Sequence, residues 1–203
     1  MSVHETMRAW VVTARGAPKS AAKTAERQRG ANYLAAGEVL IKVQRTALNP
    51  VGYKIAAVLP GLARTLPAIA EFDLAGVVVD PNGSEFAVGD EVCGMVDIVA
   101  HVRGGRGAIA EYAVKETNLI RKPKPLTLEQ AGGLTLIGLT AYESLITSGK
   151  PAASERVFIN GGSSSVGIVG IQIAKAVGAY VVASCSGKNI DFVEGLGADQ
   201  VRP

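Results

Sequence analysis

The chain is poor in cysteine, modest in charge and free of long apolar runs. Cys93 and Cys185 are its only two cysteines among 203 residues, too few for a disulfide framework. That points to a reducing, cytoplasmic setting. No apolar stretch approaches the length of a membrane-spanning helix, so a membrane partner is not expected. Residues 1–10 show no basic stretch followed by an apolar one, and no arginine-rich amphipathic presequence is visible, which argues against a leader. A formal net charge of +3 is too small to imply a nucleic-acid partner. What remains is a globular composition, 48% hydrophobic with 24 glycines, and room for one large or two small domains.

The first part reads as β-rich. Short Val-, Ile- and Leu-rich runs at 8–13, 38–48, 74–79, 91–96 and 109–114 alternate with breakers such as Asp80-Pro81-Asn82-Gly83. Many short strands at this spacing predict a small barrel or curled sheet. Residues 17–32 are polar, alanine-rich and basic, and predict a surface loop or weak helix. The character changes after Pro125: Thr127 opens a helical pattern over 128–146, with Gln130 falling just short of a capping box. Gly132, Gly133 and Gly138 weaken that helix. From Arg156 the order is strand, turn, helix, strand, helix, the parallel α/β pattern. Two domains are expected, at 1–126 and 127–203.

The apolar strand 157–160 runs into Gly161-Gly162-Ser163-Ser164-Ser165-Val166-Gly167 and then a helix, with a second strand at 180–185. Glycine tightens such a turn and lets backbone approach a pyrophosphate, while free amides at the helix start face the anion. A strand before and a helix and strand after make this a dinucleotide site; the alternative is a βαβ unit whose glycines serve packing alone. The tip of the second strand, Ser184-Cys185-Ser186-Gly187-Lys188-Asn189, lacks the carboxylate that takes a ribose 2′-hydroxyl in NAD sites. Lys188 and Ser186 suit a 2′-phosphate, which favours NADP, unless Lys188 is merely solvated.

Three weaker signals point elsewhere. Cys93, Asp97 and His101 are spaced by four, but on a strand and loop they are expected to be a core cysteine and an unrelated surface histidine, not a metal site. Arg103-Gly104-Gly105-Arg106-Gly107 is expected to be a flexible turn near a substrate cleft; an RNA-binding arginine–glycine segment is the lesser reading. Ser163, Ser164 and Ser165 do not form a nucleophile elbow.

The order of several motifs resembles one family. They are Thr46-Ala47-Leu48-Asn49-Pro50-Val51-Gly52-Tyr53-Lys54, Asp73-Leu74-Ala75-Gly76-Val77-Val78-Val79, Val88-Gly89-Asp90-Glu91-Val92-Cys93-Gly94, Ala110-Glu111-Tyr112-Ala113-Val114 and Gly138-Leu139-Thr140-Ala141-Tyr142, followed by the glycine turn. Together they resemble the zinc-free quinone oxidoreductase, or zeta-crystallin-like, branch of the medium-chain dehydrogenases/reductases. The resemblance implies an α/β fold with a β-rich domain: an N-terminal GroES-like barrel followed by a Rossmann fold, with NADPH in the cleft between them. It implies hydride transfer to a quinone or an α,β-unsaturated carbonyl, chemistry that the cofactor carries and the protein positions. By the same carry-over, Asn49, Tyr53 and Lys54 lie beside the nicotinamide or the phosphates, and Thr140 faces the cofactor. Tyr53 is the residue expected to orient or protonate substrate, with plain packing beside Pro50 as the alternative. Gly162, Ser163, Ser164, Ser165, Val166, Gly167, Ser186, Lys188 and Asn189 complete the expected cofactor set.

Some positions depart from the family. Its turn often has glycine where Ser164 stands. Its zinc-dependent branch has cysteine near Asn49, a His-Glu pair in place of Phe72-Asp73, and a four-cysteine lobe that two cysteines cannot supply. The chain stops at Val201-Arg202-Pro203, where the third Rossmann strand is expected to begin, out of about six. We therefore expect a shortened, incomplete Rossmann fold with weak activity alone; a homodimer is left open for a full-length chain. The other readings are a trans-acting enoyl reductase of a polyketide pathway and a non-catalytic nucleotide-binding protein of the same ancestry.

Overall fold

The computed structural model describes residues 6–17, 22–28, 34–115 and 118–203. Two compact units divide the chain, Met1–Thr135 and Leu136–Pro203.

The first unit is built on two antiparallel sheets. One has three strands in the order β2 (Ala22–Gln28), β1 (Thr6–Val12), β4 (Ala68–Ile69). The other runs β7 (Tyr112–Lys115), β3 (Val39–Thr46), β5 (Asp73–Asp80), β6 (Glu91–Met95), β8 (Leu119–Arg121). A bridge between Ala9 and Ala110 joins the two. Sequence period explains which faces turn inward. In β1, Met7, Ala9 and Val11 are buried while Arg8 and Trp10 alternate outward. Strand β5 is central, so Leu74, Ala75 and Val78 are all buried, and Leu74 and Val78 join Val39, Ile41, Val92 and Val96 in the main core.

Two expectations change here. Part of 17–32 is strand β2, paired along its whole length with β1, not a loop or helix. An edge strand with so few large apolar residues shows no period that a sequence reading can detect. Residues 18–21 and 29–33 lie outside the described residues. The other change is that Asp97 caps a short helix, α2 (Ile98–Gly104), accepting from the amides of Val99 and Ala100 at 2.8 and 3.1 Å. His101 on that helix is buried against Phe72, so it is not the surface histidine expected. Helix α1 (Pro50–Val58) starts at Asn49 with proline in its first turn.

The helical pattern at 128–146 is broken into pieces. Thr127 and Gln130 make both bonds of a full capping box, correcting the near miss, and start the short helix α3 (Leu128–Ala131). Ala131 packs on Ala75 and Cys93. A Cβ on Gly132 would stand 2.6 Å from the Arg45 Cβ, so glycine here is set by close packing on β3, and the helix stops.

The second unit begins with α4 (Thr135–Tyr142), which widens into a looser helical turn over Glu143–Gly149. Three parallel strands follow in the order β11 (Gln200–Arg202), β10 (Tyr180–Ser184), β9 (Arg156–Ile159). Two helices connect them, α5 (Ser165–Ala176) and α6 (Ile190–Gly195). The third strand, expected only to begin at the end of the chain, is formed and fully paired with β10. Ile171, Ala174, Val181, Ala183 and Val193 fill the core between helices and sheet. Asp199 fastens the β10–β11 corner: it takes the Lys175 ammonium at 2.8 Å and the Val181 amide at 2.6 Å. The Lys175 hydrogen bond, then the Val181 one, hold its carboxyl below the usual carboxylate range.

Candidate functional site

In the second unit, β9 delivers the chain to Gly161, whose φ of 74° only glycine adopts without strain. The turn is held from below by Ser184, whose hydroxyl accepts from the Gly161 amide at 3.1 Å and donates to the Asn160 side chain at 2.8 Å. The Ser184 carbonyl takes the Gly162 amide at 2.7 Å. Ser164 caps α5, accepting from the Gly167 amide at 3.1 Å. The Ser164 amide is spent on the Gly161 carbonyl at 2.9 Å. Of the four amides that open a helix, those of Ser165 and Val166 then remain without an acceptor in the helix. They stand at the positive end of a twelve-residue dipole, an arrangement that fits a pyrophosphate.

Gly162 and Gly167 leave no room for a side chain. A Cβ on Gly162 would press on Ala183, Val193 and Ile171 at 3.0–3.2 Å, and one on Gly167 would overlap the Gly161 carbonyl. Both glycines therefore serve close packing of turn, helix and sheet. Beyond β10, Asn189 bridges the turn and the strand tip. Its amide nitrogen donates to Ser163 at 3.0 Å and to Ser186 at 3.2 Å. Lys188, exposed in the short turn Gly187–Asn189, has no ion-pair partner among the described residues. Its free charge beside Ser186 fits a phosphate.

The first unit carries a cavity of ≈ 550 Å³, within the range of small-molecule sites. Apolar residues form most of its wall, among them Trp10 and Val12 of β1 and Ala56 of α1. Four buried polar residues interrupt them, Asn49, Arg64, Glu71 and His101. Glu71 has φ 61°, an uncommon left-handed conformation, and accepts from the Asn49 amide at 2.9 Å. Burial pushes its carboxyl upward, the Asn49 hydrogen bond works against that, and the nearby Asp73 adds to it. His101 Nδ1 lies 2.7 Å from the Arg106 carbonyl, which can only accept, so the proton is on Nδ1 and Nε2 is an acceptor. Burial holds this imidazole below the ordinary histidine value, against the Arg106 hydrogen bond, and the Arg64 charge lowers it further. Arg64 adds a guanidinium to the same wall.

Asn49 stands at the start of α1 but does not cap it. Its side chain donates instead to Asp73 at 2.9 Å. The pair ties β5 to the first turn of α1. Among the described residues, no three His, Cys, Asp or Glu are grouped as a metal site.

Residues 35–124 match the alcohol dehydrogenase GroES-like domain. The chain is 37% identical over 183 residues to the trans-enoyl reductase pgmF of Aspergillus terreus, covering 85% of this chain and 50% of that protein. It is 35% identical over 174 residues to a chloroplastic quinone-oxidoreductase homolog of Spinacia oleracea, covering 81% of this chain and 51% of that one. The solved quinone oxidoreductase of Coxiella burnetii superposes with a TM-score of 0.84 at 28% identity, over 98% of this chain and 62% of that one. Over most of its length the chain is similar to medium-chain dehydrogenases/reductases. It spans about half the length of the curated relatives it matches.

The chain groups the expected residues unevenly. Ser163, Ser186 and Asn189 share one hydrogen-bond network, with Gly162, Ser164, Ser165, Val166 and Gly167 in the adjoining turn and Lys188 beside it. Asn49 and Tyr53 line the cavity of the first unit, whereas Lys54 is exposed on the same helix and is not part of the wall. The Thr140 hydroxyl is turned back on its own helix, donating to the Leu136 carbonyl at 2.7 Å. Arg64, Glu71 and His101 were not anticipated as cavity residues. The one sequence signal was a glutamate set among apolar neighbours at Ala70-Glu71-Phe72.

Among the described residues no helix is long and apolar enough to cross a membrane. The arginine–glycine segment is well packed: Gly105 ends α2 in a left-handed turn, and Arg106 pairs with the buried Glu38 at 2.6 Å.

Proposed function

We propose that this protein is an NADPH-dependent, zinc-independent oxidoreductase that reduces quinones or α,β-unsaturated carbonyls. The observation that carries the cofactor choice is the tip of β10, where Lys188 is unpaired and no carboxylate stands among Ser184–Asn189. The amides of Ser165 and Val166 hold the pyrophosphate, and Lys188 with Ser186 holds the 2′-phosphate. The bound cofactor supplies the hydride. Tyr53, half-exposed at the cavity wall, orients the acceptor through its hydroxyl. The two cysteines are buried as free thiols, which suits a reducing compartment such as the cytoplasm.

Support for the reaction class comes from the relatives, which are named as quinone oxidoreductases and trans-enoyl reductases. A stand-alone enoyl reductase serving polyketide assembly is the second reading, favoured by the pgmF match. A non-catalytic nucleotide-binding protein is the third. NADPH oxidation measured against a panel of quinones and enones separates them. Turnover on quinones or small enones supports the first reading, and turnover on enoyl thioesters alone supports the second. A flat panel with measurable NADPH affinity leaves only the binder.

A further inference from the structure

The cavity of the first unit holds a positive charge that the protein does not neutralise. Arg64 follows the short turn Gly61–Ala63 and is only 7% exposed. Its Nη2 donates to the carbonyls of Ala14 and Ala56 at 3.2 and 3.3 Å, and its Nε is buried with no acceptor. Arg8, Arg45, Arg106 and Arg121 each pair with a carboxylate, but Arg64 has none among the described residues. A buried cation left unpaired is destabilising, and burial correspondingly pulls this guanidinium below its ordinary pKa.

The other polar groups of the wall do not supply the missing charge. Glu71 turns its carboxylate to the Asn49 amide and toward Gly52, and burial favours its neutral form. His101 is neutral and presents an acceptor. Apart from Asn49, whose side chain is spent on Asp73, the remaining wall is apolar and aromatic, with Trp10 and Tyr53 able to flank a flat molecule.

We propose that this cavity binds a conjugated carboxylic acid, whose carboxylate seats on the Arg64 guanidinium and whose flat body lies against Trp10 and Tyr53. A carboxylate brings the single negative charge that the guanidinium lacks and meets it through Nη1, since Nη2 is engaged by two carbonyls, whereas a phosphate calls for more donors than this wall offers. The proposal gives the acceptor of the preceding section its charge, and it rests on that reading only for calling the ligand an acceptor.

Trp10 is the only tryptophan and lines the cavity, so its fluorescence reports binding without cofactor or turnover. The 203-residue chain is titrated with trans-cinnamate and with methyl trans-cinnamate, and the same pair is followed by calorimetry. Cinnamate should bind roughly tenfold or more tightly than its ester, the value of one charge-assisted hydrogen bond. Arg64→Met should remove the preference by weakening the acid alone, and Arg64→Lys should keep part of it. Should Arg64→Met fail to fold, Arg64→Lys and the wild-type acid-to-ester ratio still decide. Equal binding of acid and ester to the wild type overturns the proposal. So does an equal loss of both in Arg64→Met, or competition by inorganic phosphate as strong as by cinnamate. Because no turnover is read, an inactive chain that still prefers the acid keeps this proposal and sinks only the reductase reading. An active chain with no preference does the reverse.

Discussion

Replacing Gly167 with alanine tests whether the dinucleotide turn is a close-packed unit. The new Cβ would lie 2.9 Å from the Gly162 Cα and 3.0 Å from the Gly161 carbonyl carbon, and would overlap the Gly161 oxygen. Ordinary carbon contacts sit at about 3.5–4.0 Å, so turn and helix must part by roughly half an ångström or more. All three atoms are backbone, and no side-chain rotation relieves them. Overpacking of this kind costs about 1–3 kcal/mol, which in a chain of this size lowers the melting temperature by roughly 2–12 °C. Parting the turn from α5 also disturbs the Ser164 cap and the open amides of Ser165 and Val166, so NADPH affinity should fall about tenfold or more. Gly195→Ala is the control, since its Cβ would meet nothing within 4 Å, and it should be neutral or slightly stabilising. Thermal melts and NADPH titration of the three proteins make the comparison. Wild-type melting and affinity in Gly167→Ala would refute the packing argument.

Two further outcomes follow from charges. Lys188→Glu should weaken NADPH roughly 10- to 100-fold, the range for loss of a charge-assisted contact, and leave NADH unchanged or improved; equal losses for both cofactors would remove Lys188 from the phosphate site. For His101, the folded pKa is lowered, so the unfolded chain binds the extra proton more readily. The stability it contributes is present above the ordinary histidine value of 6.5 and is lost as pH falls through it. The urea midpoint of the wild type should therefore drop more than that of His101→Asn between pH 7.5 and 5.5. Parallel curves would show that the buried imidazole is not coupled to folding.

The parts legible in the sequence are those where the chemistry is contiguous. Residues 161–167 and 184–189 are each a single short stretch, and their spacing alone predicts the strand–turn–helix–strand unit. The buried strands around Leu74 and Val92 were legible because their apolar residues are crowded and bounded by turns. Strand β2 was not, because as an edge its described side chains place Lys23, Thr24 and Glu26 in solvent and Ala25 alone against the core. The helix expected at 128–146 failed at Gly132, where the neighbouring Arg45 rather than local propensity decides the path. The cavity groups were the least legible: Arg64, Glu71 and His101 come from three separate segments, and only the folded first unit assembles them.

The wiring around Asn189 has a directional consequence. One amide nitrogen carries two hydrogens, and both are used on Ser163 and Ser186. Toward any ligand the asparagine is thus an acceptor only, suited to a sugar hydroxyl or a base amine and repellent to a phosphate. The two serines are in the opposite position: each accepts a hydrogen bond from the asparagine and keeps its own O–H to give away. A single asparagine therefore polarises two hydroxyls outward at once. Exchanging it for aspartate would reverse both together, turning a pair of anion donors into a pair of internal ones.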